Sequence, residues 1–228
     1  MRDRYGFLDL KPREIEDSGW IYAYGVYYPR HQAVRHQLSS WSRAVILAKR
    51  GAMEIIDRFG GLIAGKIHRR ILKSEDYVIT HVPADPGPVQ YLFGEYARGA
   101  PDLLAESIHR NLGSRRNVEL ASLLVTVRSK DRKQHQCDTP AKRLANVKGL
   151  YAVTDSQAIA GKHIVLVDDV LTTGATIREC ARVLLDAGAR NVMGVVLART
   201  VHGSDLDTGE WPDEPMQEPS MVAGCPAA

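Results

Sequence analysis

The spacing of apolar positions changes near residue 76, and the two rhythms predict different structures on either side. Residues 20–28, WIYAYGVYY, are aromatic and β-branched and predict one or two short strands before the polar turn Pro29-Arg30-His31. From Ser42 to about Ile71, apolar Ile46, Met53, Ile56, Leu62, Ile63 and Ile67 recur at roughly helical spacing. With Gly51, Gly60 and Gly61 read as breaks, two helices are expected there.

From residue 76 onward, short apolar runs alternate with amphipathic segments. Residues 76–82 predict a strand ending at Pro83, and Pro101 opens a helix through PDLLAESIHRNLG, with Gly113 as its cap. Residues 120–127 read as another strand, Thr139-Pro140 as the start of a short helix near AKRLAN, and 150–153 as a further strand. Strand 163–168, helix 175–187 and strand 191–198 follow. In that helix Ile177, Cys180, Ala181, Leu184 and Leu185 make one apolar stripe, and Gly188 ends it. Strands alternating with helices predict the α/β class: a mainly parallel central sheet flanked by helices. The expected organisation is an N-terminal strand and helix region over 1–75 packed on the core, a core over 76–202, and an acidic disordered tail over 203–228.

Composition adds a charge asymmetry. The 228 residues are 44% hydrophobic and carry +3 overall, enough for one domain with a sizeable core. Residues 203–228 hold six acidic side chains and no Lys or Arg, so removing their −6 from the overall +3 leaves +9 on the body. A basic body suits a phosphorylated ligand or nucleic acid, and composition does not separate the two. The tail is rich in Pro, Gly and acid and is expected to be dispensable for folding. Cys137, Cys180 and Cys225 form no C-x-x-C pair, which suits a reducing cytoplasm better than a disulfide framework or a zinc ribbon. The charged N-terminus does not suit a signal peptide, and no apolar run reaches the ~20 residues a membrane span needs.

The chemistry concentrates in IVLVDDVLTTGAT, residues 164–176. In a parallel sheet, ligands bind beyond the carboxyl ends of the strands, where loops lead into helix N-termini. HIVLV has the character of a buried central strand, and Asp168 and Asp169 arrive at its end. Thr172, Thr173, Gly174, Ala175 and Thr176 then form a small-residue turn into a helix. Backbone N–H groups, threonine hydroxyls and the helix N-terminus there make a phosphate cradle. Two acids beside a phosphate site would repel the phosphate unless something uncharged or cationic lay between. A ribose fits, its 2- and 3-hydroxyls donating to the acids and its 5-phosphate reaching the threonine loop.

VLVDDVLTTGAT resembles the phosphoribosyl pyrophosphate (PRPP) motif of the type I phosphoribosyltransferases. The resemblance implies that Asp168 and Asp169 hold the ribose hydroxyls and that Thr172, Thr173, Gly174, Ala175 and Thr176 hold the 5-phosphate. It extends to the ComF/GntX-like subgroup: Arg128-Ser129-Lys130 is followed, fifteen residues after its Arg, by Arg143-Leu144-Ala145-Asn146-Val147-Lys148-Gly149. His81-Val82-Pro83 and Arg98-Gly99 are looser matches, and YAYGVYY and LAKRG fainter ones. The four N-terminal zinc-binding cysteines of many relatives are absent, and the usual Gln between the Arg motifs is displaced, with Gln134 and Gln136 flanking His135.

Membership in that family implies displacement of pyrophosphate from the ribose anomeric carbon by a small-molecule acceptor, a nucleobase or amine. It also implies Mg²⁺ bridging pyrophosphate and ribose oxygens, with Asp168 and Asp169 as its direct or indirect protein partners. Seven cations between Arg128 and Lys148 suggest a lid over the leaving pyrophosphate, with Arg128, Lys130, Arg143 and Arg98 as contacts. A homo-oligomer is expected. A second reading keeps the fold and makes the chain a PRPP- or nucleotide-sensing regulator, or an accessory protein in DNA uptake.

Other features have plainer readings. GGLIAGKI, residues 60–67, approaches the Walker A pattern, but Ile67 stands where Mg²⁺ needs a hydroxyl and no strand precedes it. Trp20, Tyr22, Tyr24, Tyr27 and Tyr28 could stack bases, but core or sheet-face packing is the favoured reading of such a row. His81 is either a satisfied strand-end histidine or a pyrophosphate neighbour, and Cys180 belongs to the core.

Overall fold

A computed structural model describes residues 13–15, 19–29, 39–71, 74–83, 98–113, 117–127 and 145–200, together with positions 32, 34 and 37. The elements are β1 (Arg13–Ile15), β2 (Gly19–Ala23), β3 (Val26–Tyr27), α1 (Ser40–Lys49), α2 (Met53–Ile67), β4 (Tyr77–His81) and α3 (Ala100–Leu112). After them come β5 (Val118–Leu120), β6 (Leu124–Thr126), β7 (Tyr151–Val153), β8 (His163–Leu171), α4 (Ala175–Asp186) and β9 (Asn191–Thr200).

Among the described residues the main sheet runs β1-β2-β9-β8-β4-β5, with β3 also on β9. Every pairing in it is parallel except β1 with β2. The expected mainly parallel α/β sheet is the observed one. β8 lies at its middle, and Ile164, Val165, Leu166 and Val167 have no accessible surface. That double burial explains why the run is apolar at every position rather than alternating. One face packs on α1, α2 and α3 through Val45, Ile63, Leu104 and Ile108, and the other on α4 and β7 through Cys180, Leu184 and Tyr151.

Three sequence expectations need correction. Gly60 and Gly61 do not break α2, which runs through both. A Cβ on Gly60 would lie 2.2 Å from Ser107 Oγ of α3, so the glycine permits close helix packing instead. Residues 120–127 are not one strand: β5 pairs with β4, and β6 leaves to pair antiparallel with β7. Leu123 and Leu124 are both buried, which one straight strand with alternating faces cannot provide; Leu123 N–H instead donates to Thr80 Oγ1 at 3.1 Å. Finally, β8 does not stop at the first carboxylate but continues to Leu171, because β9 extends alongside it to Thr200. The ladder pairs Asp168 with Val196, skips Asp169 and resumes at Val170 with Ala198. The helix expected near AKRLAN falls mostly outside the described residues, which show helical turn only at 145–147.

Of the aromatic row, Tyr24 is fully buried, Tyr22 lies under the Arg70 guanidinium at 4.5 Å, and Trp20 is exposed. The Walker-like stretch is the interior of α2, and Cys180 is a buried free thiol.

Candidate functional site

The site is assembled at the carboxyl edge of β8 and β4, where the chain passes from strand to helix. Asp168 and Asp169 are half-buried there. Asp168 Oδ1 accepts the N–H of Asp169 at 2.8 Å, and Asp169 Oδ1 accepts the N–H of Val170 at 2.6 Å. These contacts fix each carboxylate against its own backbone and account for donors near the skipped ladder position.

The five loop residues follow. Thr172 is exposed, Thr173 and Thr176 half-buried, Gly174 and Ala175 buried. Gly174 caps α4 with φ of 81°, a left-handed conformation that costs a side-chain-bearing residue roughly 1 kcal/mol. Thr173 Oγ1 accepts the Ala175 N–H at 3.4 Å, and the first turn of α4 contains no acid. An anion here meets the positive end of a twelve-residue helix with no carboxylate in that first turn.

Two cations adjoin these groups, one within LAKRG, the faint family match, and one that the sequence did not single out. Lys49, the last residue of α1, places Nζ 2.9 Å from Asp169 Oδ2. Burial pulls its pKa down, but Asp169 foremost, with Asp168 and Tyr27, more than offsets this, so the ammonium stays charged. The signal in the sequence was the faint LAKRG match, which gave Lys49 no role, since a lysine in the last turn before a glycine is also an ordinary helix ending. Arg178 is half-buried in α4, its Cζ 3.8 Å from the point a Cβ on Gly174 would occupy.

His81 ends β4 with its Cα paired to Val167, two residues before Asp169. Its Nδ1 is 3.9 Å from Asp102 Oδ1. Burial lowers its pKa, with Asp102 opposing and Arg98 assisting. Arg98 grips Asp102 through Nε at 2.7 Å and Nη2 at 2.9 Å, and Glu106 through Nη1 at 2.6 Å. Its hydrogen bonds hold Asp102 below the usual carboxylate range despite partial burial. Arg98 thus stands near the carboxyl edge but is committed to two acids of α3. Arg128, Lys130 and Arg143 lie outside the described residues.

The end of the basic segment is anchored to the same helix as the threonine loop. Glu179 of α4, only 4% exposed, accepts the Gly149 N–H at 2.7 Å and the Arg182 guanidinium at 2.7 and 3.0 Å. Asn146 and Val147 of the RLANVKG stretch are buried beside this contact. No helix among the described residues is long and apolar enough to cross a membrane.

Residues 100–211 match the family model described as "Phosphoribosyl transferase domain". Among curated proteins, the DNA utilization protein YhgH of Shigella flexneri is 49% identical over 43 residues, 19% of this chain and 19% of that protein. The same protein of Escherichia coli strain K12 matches with the same figures, so the similarity spans about a fifth of these relatives. Among solved structures, a hypoxanthine phosphoribosyltransferase from Staphylococcus aureus aligns with a TM-score of 0.41 at 8% identity, covering 66% of this chain and 76% of that one. A phosphoribosylpyrophosphate synthetase from Mycobacterium smegmatis aligns at 0.37 and 20% identity, covering 66% and 37%.

Proposed function

From a chain whose residues 100–211 match the phosphoribosyl transferase domain model, we propose that the protein binds PRPP and transfers its 5-phosphoribosyl group to a small nitrogen nucleophile, a nucleobase or amine. The observation that carries this reading is the sequence of groups along one edge: an acid pair on the central strand, a left-handed glycine turn, then a helix N-terminus. The spacing suits one ligand, with ribose hydroxyls at Asp168 and Asp169 and the 5-phosphate at residues 172–176.

In the reaction, the bond from the anomeric carbon to the pyrophosphate oxygen breaks and a bond to the acceptor nitrogen forms. Pyrophosphate leaves with the electron pair, and the nitrogen gives up a proton. Positive charge builds on the ribose between these events, and carboxylates already fixed by backbone N–H groups stabilise it without reorganising. Arg128, Lys130 and Arg143 are proposed as the cations that meet pyrophosphate.

Mg²⁺ fits this proposal as an ion carried in by the ligand. The described residues contain no cluster of three or more metal-ligating side chains. Mg²⁺ commonly uses one or two carboxylates plus substrate phosphates and keeps several waters. Asp168 is the protein-side carboxylate proposed to hold it, and the ion would neutralise charge on the departing pyrophosphate. The protein is further proposed to work in the cytoplasm as a homo-oligomer.

Calorimetry with PRPP and Mg²⁺ tests the reading. Wild type is expected to bind, and the Asp168→Asn/Asp169→Asn variant to bind at least tenfold more weakly; equal binding by both overturns the ribose assignment. A second reading is a non-catalytic PRPP or nucleotide sensor or DNA-uptake accessory, and the local likeness to a DNA utilization protein is compatible with the last of these. Pyrophosphate release across a panel of bases and amines separates the two. Release with one acceptor selects the transferase, and PRPP binding without release by any selects the sensor.

A further inference from the structure

Lys49 comes from α1, outside the matched residues 100–211, yet its ammonium forms an ion pair with one of the two acids. Its position is built by packing. Ser42 Oγ of α1 accepts the Tyr28 N–H at 3.0 Å, and Trp41 packs against Phe59 with ring centroids 4.8 Å apart. The helix then ends at Gly51, whose φ of 82° turns the chain away and leaves Lys49 as the last helical residue. Helix carbonyls at that end favour a cation. The Nζ to Oδ2 distance of 2.9 Å is that of a charge-assisted hydrogen bond, and the Lys49 side chain keeps 40% of its surface accessible while Asp169 keeps 20%.

Adjacent carboxylates next to a phosphate loop require positive charge before an anionic ligand can approach. A divalent ion is one way to supply it. Here each Asp169 oxygen already has one partner, the Lys49 ammonium on Oδ2 and the Val170 N–H on Oδ1, so its charge is balanced while lone pairs stay open to ribose hydroxyls. We propose that Lys49 replaces a divalent cation on the protein side of the acid pair: it is a positioning residue that holds Asp169 and excludes a metal ion from that carboxylate. The inference rests on the reading of Asp168 and Asp169 as ligand-facing acids and specifies the charge regulation of that same site. Asp168 stays the carboxylate proposed to meet an ion arriving with the ligand.

Mn²⁺ alone, titrated into the full chain and followed by the electron paramagnetic resonance of the free ion, tests this without PRPP. Mn²⁺ accepts the same oxygen ligands as Mg²⁺. Lys49→Met keeps the aliphatic stem and removes the charge; it is expected to bind Mn²⁺ at least tenfold more tightly than wild type. The gain should vanish in Lys49→Met/Asp169→Asn, and Lys49→Arg, which retains a cation, should behave as wild type. Equal affinity for wild type and Lys49→Met, or a gain in Lys49→Arg, overturns the proposal. Asp169→Asn on its own gives a reading that does not depend on Lys49→Met folding. Unchanged Mn²⁺ affinity is expected, and a tenfold loss would make Asp169 a metal ligand and end the proposal. If PRPP fails to bind while the Mn²⁺ contrast holds, the ligand assignment falls alone; if PRPP binds and the contrast is absent, this inference falls alone.

Discussion

A methyl group added at Gly25 would sit 2.0 Å from Trp41 Nε1, inside the indole ring edge. Gly25 joins β2 to β3, and its missing side chain is what lets α1 settle against the sheet. Overpacking of this kind costs typically about 1 to 3 kcal/mol, which for a chain of this size lowers the melting temperature by roughly 2 to 12 °C. Gly25→Ala is therefore expected to melt earlier by that margin in a calorimetric or circular dichroism scan. Since Trp41 belongs to the helix that carries Lys49, the variant should also bind Mn²⁺ more tightly than wild type. The glycine is visible in the sequence, but its reason is not, because Trp41 meets it only after the strand and helix have packed. Asp168, Asp169 and Gly174 were legible at this scale, since their chemistry lies within a few consecutive positions.

Glu179 ties two elements together. It joins α4, which presents the threonine loop, to the Gly149 turn that closes the basic segment. The Arg182 hydrogen bonds hold its pKa below the ordinary value of 4.5, against burial and with help from the Gly149 N–H. A carboxylate depressed in the folded state contributes stability that is full above its unfolded pKa. That contribution is lost as pH falls through the lower folded value. Hydrogen bonds to a charged group contribute about 1.5 to 3 kcal/mol. Glu179→Gln keeps the acceptor oxygen and loses the charge, so a cost of about 1 to 2 kcal/mol is expected at neutral pH. Denaturant midpoints should show that gap shrinking as pH drops below 4.5 and through the lower folded value. An unchanged gap across the range would place the effect elsewhere. In sequence Glu179 looks like one charge on a helix whose apolar stripe is complete without it; its burial arises because the Gly149 turn covers it.

The sheet itself couples the N-terminal region to the rest of the molecule. β9 pairs with β2 and β3 on one side and β8 on the other. Tyr24, Trp41, Val45, Phe59, Ile63 and Ile67 bury themselves in the same cluster as Val165, Val167 and Val195. A chain beginning at residue 76 would expose that face and lose Lys49. It is expected to show no cooperative thermal transition, whereas the full chain should melt as one unit. A sharp melt for the fragment would mean the two regions are energetically separate. The sequence by itself determined the α/β class, most strand and helix positions and the order of acid pair, threonine loop and helix start along one edge, because periodicity and the acid-loop motif are local properties. Only the tertiary structure decided that residues 120–127 divide between two sheets, that β8 carries its acids inside the ladder, and that Lys49 stands at Asp169. Each depends on which distant surfaces meet: a strand ends where its partner ends, an apolar run does not say which sheet it joins, and an ion pair exists once packing brings two charges within about 3 Å.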